Sequence, residues 1–167
     1  MSVKKAKNKK KKPASMDGSG HIKKNRILFA ASELYPFIKT GGLADVACFL
    51  PLALRRLGYD IRIVIPSYQS ILDQDLQFNK EVEFIIPEIE QRARLLETTL
   101  TDNITPVYLV DVPGIFDRKG NPYQSADNKD WPDNHLRFAV FCRAIRQICR
   151  NQVGLDWLPE LLHCNDW

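Results

Sequence analysis

The sequence predicts an α/β fold, a Rossmann-like parallel sheet with flanking helices and a β-hairpin insertion. Three observations predict it. Apolar runs of strand length, Ile27–Ala31 and Ile61–Ile65, stand on either side of a longer segment whose apolar residues recur at three- and four-residue steps, which is the signature of strand, helix and strand in a parallel unit. A stretch of period two, Val82, Phe84 and Ile86 followed by Ala93 and Leu95, interrupts that pattern as a hairpin or meander would. The 167 residues suffice for one domain with a substantial core.

Taken in order, residues 1–25 predict a disordered Lys-rich tail, with the four-lysine run Lys9–Lys12 and the linker-like Asp17-Gly18-Ser19-Gly20 offering little apolar surface against the entropy of ordering. The folded domain is expected over 26–167. Strand one is expected over 26–32. A helix over 42–57 would present Leu43, Val46, Ala47, Leu50, Leu54 and Leu57 on one apolar face, kink at Pro51 and stop at Gly58. Strand two follows from Ile61 to Pro66, then a loop or short helix over 67–79, then the hairpin. Ile104–Val110 is a further strand, rich in β-branched residues.

Residues 117–132 are polar and turn-rich and predict a surface loop that lies over the cleft. Asp133 or Asn134 would N-cap a helix running to about Asn151, with Phe138, Phe141, Cys142, Ile145, Ile148 and Cys149 facing the core. A last strand, Leu161–Cys164, delivers Asn165-Asp166-Trp167.

Composition bounds the function. Residues 1–26 hold ten Lys/Arg against one acid, Asp17, whereas residues 27–167 hold 14 bases against 19 acids. The basic tail could tether the chain to nucleic acid or an anionic surface, or simply solubilise it; nucleic acid is not the expected partner. No apolar run approaches a membrane span, and the N-terminus lacks the apolar segment of a secretory signal, so a cytoplasmic location is expected. Cys48, Cys142, Cys149 and Cys164 show no C-x-x-C spacing and read as reduced core thiols, with no metal expected.

Chemistry is expected at the carboxyl ends of the strands. After strand one come Lys39, Gly41 and Gly42 at the start of a helix. A helix N-terminus carries free N–H groups and about half a positive charge, glycine removes the Cβ that would shield them, and lysine adds a full cation. Together these make a phosphate seat, although Gly-Gly before a helix is equally the pattern of a plain tight turn. Neither G-x-G-x-x-G nor G-x-x-x-x-G-K-[ST] is present, which argues against a dinucleotide fingerprint and a P-loop.

Ser32-Glu33, Pro36 and the run Lys39-Thr40-Gly41-Gly42-Leu43-Ala44-Asp45-Val46 resemble the opening motif of bacterial glycogen synthases and plant starch synthases. The order Y-L-V-D, F-D-R, N-P-Y over 108–123, the D-N-x-x-R-F pattern at Asp133–Phe138 and the H-x-[HN]-D-W pattern at His163–Trp167 extend the resemblance along nearly all of 26–167. It implies the N-terminal half of a GT-B glycosyltransferase, two Rossmann-like domains facing across a cleft, with this chain truncated before the second. The implied reaction is transfer of glucose from ADP-glucose to the non-reducing end of an α-1,4-glucan (glycogen) with retention, without a cofactor. The isolated chain is then expected to transfer no glucose and to bind nucleotide sugar weakly. The alternative is a non-catalytic module that binds glucan or nucleotide sugar.

By the same resemblance Lys39 contacts the donor diphosphate and Gly41 and Gly42 let sugar and phosphate approach the backbone. Asp45 lies beside the donor, or serves only the helix dipole. Glu33 lies on the acceptor side of the cleft. Asp133 turns toward the sugar hydroxyls beside Asn134, or caps its helix. His163 faces the transferred glucose, and many members carry a second histidine where this chain has Asn165. His163→Ala is then expected to lower transfer more than donor affinity.

Overall fold

In the computed structural model, which describes residues 25–166, four neighbouring strands run parallel. β1 (Arg26–Ala30) pairs with β2 (Asp60–Pro66) on one side and with β6 (Leu161–Cys164) on the other, and β2 pairs with β5 (Pro106–Asp111). The hairpin of β3 (Lys80–Ile86) and β4 (Gln91–Thr99) joins the same sheet antiparallel to β5, giving the order β3-β4-β5-β2-β1-β6. The predicted tail, and His21 with it, lies outside the described residues apart from Asn25. Among the described residues no helix is long and apolar enough to cross a membrane.

The burial explains the sequence pattern. Ile27–Ala31 and Ile63–Ile65 are buried throughout, because a central parallel strand is covered on both faces and has no side to give to polar residues. β3 alternates, with Phe84 and Ile86 inward and Glu81, Glu83 and Ile85 outward, because one face of the hairpin meets water. From β1 the chain moves to β2, crosses to the far edge for β3, comes back through β4 to β5, and then passes to the opposite flank of β1 for β6. The reversal between β1 and β6 makes a topological switch point, and open α/β sheets take ligands beyond the carboxyl ends of the strands at such a point.

Helix α1 (Leu43–Arg56) lies where periodicity puts it, with its core face shifted round the helix: Ala47 of the expected stripe is buried, and Leu50 and Leu54 pack against the core. Ala44, Ala47, Cys48 and Pro51 are its buried residues, whereas Val46 and Leu57 of the expected stripe are exposed, as is Phe49. The helix is apolar on nearly every side, so spacing alone could not orient it; its small residues allow close approach to the sheet. Pro51 sits within one unbroken helix. Gly58, at φ 87°, ends it: its N–H bonds the Arg55 carbonyl and that of Tyr59 the Leu54 carbonyl, the paired bonds of a Schellman stop.

Three further expectations need correction. β5 begins at Pro106 and not at Ile104, because the Asp102 carboxylate accepts the N–H groups of Ile104 and Thr105 and the Thr105 hydroxyl, folding 102–105 into a turn. In α3 (Asn134–Cys149) Cys142 faces outward, and Ala144 and Val140 fill the core face in its place. Of the four free cysteines Cys48 is buried and Cys149 is half-buried against the core, whereas Cys142 and Cys164 are exposed, so core thiol describes two of them. α2 is a single turn, Gln69–Leu72.

The long loop from 112 to 133 is held by local bridges, Gly120 to Ser125 and Gln124 to Asp130. Gly120 has φ 151°, and a Cβ there would lie 2.3 Å from the Gln124 carbonyl oxygen and 2.9 Å from the Ser125 Cα. Gly120→Ala is therefore expected to lower stability by about 1–3 kcal/mol, read as a fall in the urea midpoint with unchanged m-value.

Candidate functional site

The site is built from three chain segments that leave the carboxyl ends of β1 and β6 or enter the N-terminus of α3. After β1 the backbone runs through Ser32 to Glu33, both buried. The Glu33 carboxylate accepts four hydrogen bonds: from the Thr40 N–H at 2.5 Å, the Thr40 hydroxyl at 2.6 Å, the Gly41 N–H at 3.2 Å and the Tyr123 hydroxyl at 2.8 Å. Burial pushes this carboxyl up, but the bonds from Thr40, Tyr123 and Gly41 together outweigh burial and hold it below the usual carboxylate range. Glu33 is thus an ionised clamp on the glycine turn.

Tyr123 is the hub of the arrangement. Its hydroxyl spends its single proton on Glu33, so the Ser32 hydroxyl, 2.8 Å away, is the donor in their contact. Burial first, and the Glu33 carboxylate after it, push the Tyr123 phenol well up, so it remains a donor. The Ser32 carbonyl in turn accepts from the Tyr68 hydroxyl at 3.0 Å. The Tyr123 carbonyl accepts from the Asn134 side-chain amide at 2.8 Å. One loop residue therefore ties the end of β1 to the start of α3, and the expected loop over the cleft does reach the end of β1.

At the start of α3, Asp133 does not use its side chain as a cap. Its carbonyl accepts the N–H groups of Leu136 and Arg137, while its carboxylate is gripped by Arg118 at 2.9 and 2.8 Å. The Arg118 guanidinium holds the Asp133 carboxyl below the usual range. The Asn134 side chain is used on both ends, its oxygen accepting from Arg137 at 2.7 Å.

The glycine turn leads into α1. Gly41 and Gly42 are exposed, neither has a positive φ, and a Cβ on either would meet nothing within 4 Å. The protein itself does not require glycine at these two positions, which leaves their backbone open to something outside it. Two N–H groups of the predicted seat, Thr40 and Gly41, already serve Glu33, so the donors left for an anion are those of the first turn of α1. Lys39 lies beside them and meets the Asp45 carboxylate at 2.8 and 2.7 Å. Both partners are more than 40% exposed, and such a pair contributes about 0–1 kcal/mol, so an arriving anion could take Lys39 over at small cost.

His163 lies on β6 opposite Phe29 of β1, their ring centroids 4.7 Å apart. Asn165 closes the end of β1, its backbone and side-chain amides both donating to the Ala30 carbonyl at 3.0 and 3.2 Å. Asp166 has φ 59°, the left-handed geometry of a turn. No group of three or more His, Cys, Asp or Glu side chains among the described residues is placed to hold a metal.

The geometry thus joins Glu33, Gly41 and Asn134 through Tyr123, and pairs Lys39 with Asp45; Asp133 stands apart with Arg118. Tyr123, Ser32, Tyr68 and Arg118 were not among the residues singled out by sequence. Ser32, Tyr123 and Arg118 had a signal, as members of the S-E, N-P-Y and F-D-R runs; Tyr68 had none.

Residues 26–167 match the family model described as the starch synthase catalytic domain. The chain is 47% identical over 143 residues to a glycogen synthase of Thioalkalivibrio sulfidiphilus, covering 85% of this chain and 30% of that protein. It is 50% identical over 141 residues to a glycogen synthase of Cellvibrio japonicus, covering 84% of this chain and 29% of that one. The catalytic domain of starch synthase IV from Arabidopsis thaliana, solved with ADP and acarbose bound, superposes with a TM-score of 0.66 at 27% identity, over 87% of this chain and 28% of that one. The chain spans about 30% of the length of the curated relatives it matches.

Proposed function

The chain belongs to the starch synthase catalytic-domain family, and from that premise we propose that it supplies the donor-phosphate and acceptor-facing half of an ADP-glucose-dependent, retaining α-1,4-glucan glucosyltransferase site. The observation that carries the reading is the corner where β1 hands over to α1. There an exposed lysine, two glycines that the fold does not require and the N-terminus of a 14-residue helix converge at the sheet's switch point. That corner suits a diphosphate. The solved relative with ADP and acarbose supports a nucleotide and an oligosaccharide as the ligands.

In the proposed reaction the bond from glucose C1 to the β-phosphate oxygen breaks, a bond from C1 to the acceptor's 4-oxygen forms, and the acceptor's proton leaves with the diphosphate. Lys39 and the first N–H groups of α1 meet the charge that grows on the leaving diphosphate, which is electrostatic catalysis with little reorganisation. Asp133, held ionised, is suited to accept hydrogen bonds from sugar hydroxyls and not to give up a proton, whereas Glu33, also ionised, spends both oxygens on Thr40, Gly41 and Tyr123 and positions the glycine turn. His163, beside β1's end, faces the transferred glucose, and Asn165 in place of a second histidine holds the β1 carbonyl.

Isothermal titration of the chain with ADP tests the reading. Lys39→Ala is expected to weaken ADP binding about tenfold, the loss of one charge-assisted contact. An affinity unchanged by that substitution would reject the assignment of the phosphate seat.

A further inference from the structure

The outward turn of α1 leaves an aromatic surface beside the phosphate corner. Tyr35 is 44% exposed, Phe49 is 59% exposed and Val46 is 49% exposed. The Tyr35 and Phe49 rings lie 6.5 Å apart between centroids and 26° from parallel, a small, nearly flat apolar platform. Lys39 stands at its rim, with its Nζ 5.9 Å from the Tyr35 ring centroid. The platform is carried by the Leu34–Ile38 bridge and by the Tyr35 N–H bonded to the Ala44 carbonyl at 3.1 Å, so both rings are fixed to the same corner that holds Lys39.

We propose that Tyr35 and Phe49 form a stacking subsite for a linear α-glucan, holding one or two glucose units of the acceptor chain outside the reaction centre. Exposed aromatic rings on a soluble domain mark a surface that is covered in use. A pyranose offers the matching chemistry: an apolar face of C–H groups for the ring and a rim of hydroxyls for Asp45 once the diphosphate has taken Lys39. The ligand is neutral, which suits a surface made of two aromatic rings and Val46. Continuity with the corner assigned to the donor is what selects an acceptor glucan. The inference rests on the glucosyltransferase reading, and goes beyond it in naming two residues that touch no phosphate.

The test is native electrophoresis of the chain in gels with and without glycogen, together with ADP titration and sedimentation of the same proteins. Wild type is expected to be retarded by glycogen. Tyr35→Ala and Phe49→Ala are each expected to weaken the apparent glycogen affinity about fivefold, the worth of one aromatic contact, and the double variant to abolish retardation. Phe49→Tyr keeps the ring and should keep binding, and Ile85→Ala, an exposed residue on the distant hairpin, should behave as wild type.

Absent retardation of wild type, or ring variants retarded as strongly as wild type, overturns the proposal. So does a loss of ADP affinity on Phe49→Ala with glycogen binding intact, which would make the platform a base-stacking surface. A dimer that dissolves on Phe49→Ala would make it a contact between copies and likewise overturn it. ADP binding independent of Lys39 would instead reject the phosphate corner, an outcome separate from the behaviour of the two rings.

Discussion

Replacing Arg137 by methionine is expected to lower the stability of the domain by about 3 kcal/mol, or its melting temperature by roughly 6–12 °C for a chain of this size. Arg137 is 1% exposed, in the first turns of α3. Its Nε donates to the Ile115 carbonyl at 3.0 Å, and one terminal nitrogen donates to the Pro122 carbonyl at 2.8 Å and to Asn134 at 2.7 Å. The guanidinium also lies 5.3 Å from the Trp131 ring and 5.8 Å from that of Phe116. Two effects oppose each other in the substitution. Removing the cation relieves the cost of burying it, a cost visible in a guanidinium that desolvation makes easier to deprotonate. Against this, at least two loop carbonyls lose their donor, and the loop loses the strut that joins it to α3. The second effect wins because these carbonyls have no water to turn to while the loop stays docked, and undocking releases Tyr123 from Glu33. Arg137→Lys should not rescue, since one ammonium cannot reproduce a planar fork that spans 115 and 122. Chemical denaturation gives the magnitude, and hydrogen exchange over 115–131 should accelerate in both variants. A loss under about 1 kcal/mol, with that exchange unchanged, would reject the strut.

The same residues show what could be read from the sequence. β1, β2 and β5 were legible because a strand covered on both faces has to be apolar throughout, and the hairpin because one wet face imposes period two. The face of α1 was legible only in part, through Ala47, Leu50 and Leu54. Val46, Phe49 and Leu57 are as apolar as the residues that are buried, and the choice was made by the small side chains of Ala44, Ala47 and Cys48 against the sheet. The order within the 112–133 loop was hidden for another reason. It comes from Arg137 and from Tyr123, whose hydroxyl bonds a residue 90 positions earlier, and no local pattern encodes such a contact. In the site, the strand-to-helix corner was readable from glycine and lysine chemistry. Glu33 as the anchor of that corner was not, because a glutamate after a strand carries no mark of the four donors that converge on it.

Glu33→Gln is expected to be the most damaging conservative change at the site. A carboxylate can accept at both oxygens, and here Oε1 takes the hydroxyls of Thr40 and Tyr123 while Oε2 takes the N–H groups of Thr40 and Gly41. An amide turns one of those acceptors into a donor that faces two donors, at a cost of about 2–3 kcal/mol. The pH dependence separates this from a plain packing loss. Because the folded carboxyl is held below its ordinary value, the unfolded chain binds the proton more readily. The clamp's contribution is therefore complete above the unfolded value of about 4.3 and is lost as pH falls through the folded one. Wild type should lose stability on acidification below about pH 4.3, and the gap between wild type and Glu33→Gln, measured by urea unfolding, should close over the same range. Asp102 and Asp133 are also held low and give both proteins a shared acid slope, so the difference between the curves is the quantity to read. A gap that stayed constant with pH would mean that the four bonds do not depend on the charge. The functional consequence follows from the same geometry: Thr40 and Gly41 are the residues between Lys39 and α1, so loosening their grip on Glu33 frees Lys39 to wander. ADP affinity should then fall in Glu33→Gln although, in the reading proposed here, no atom of Glu33 touches the nucleotide.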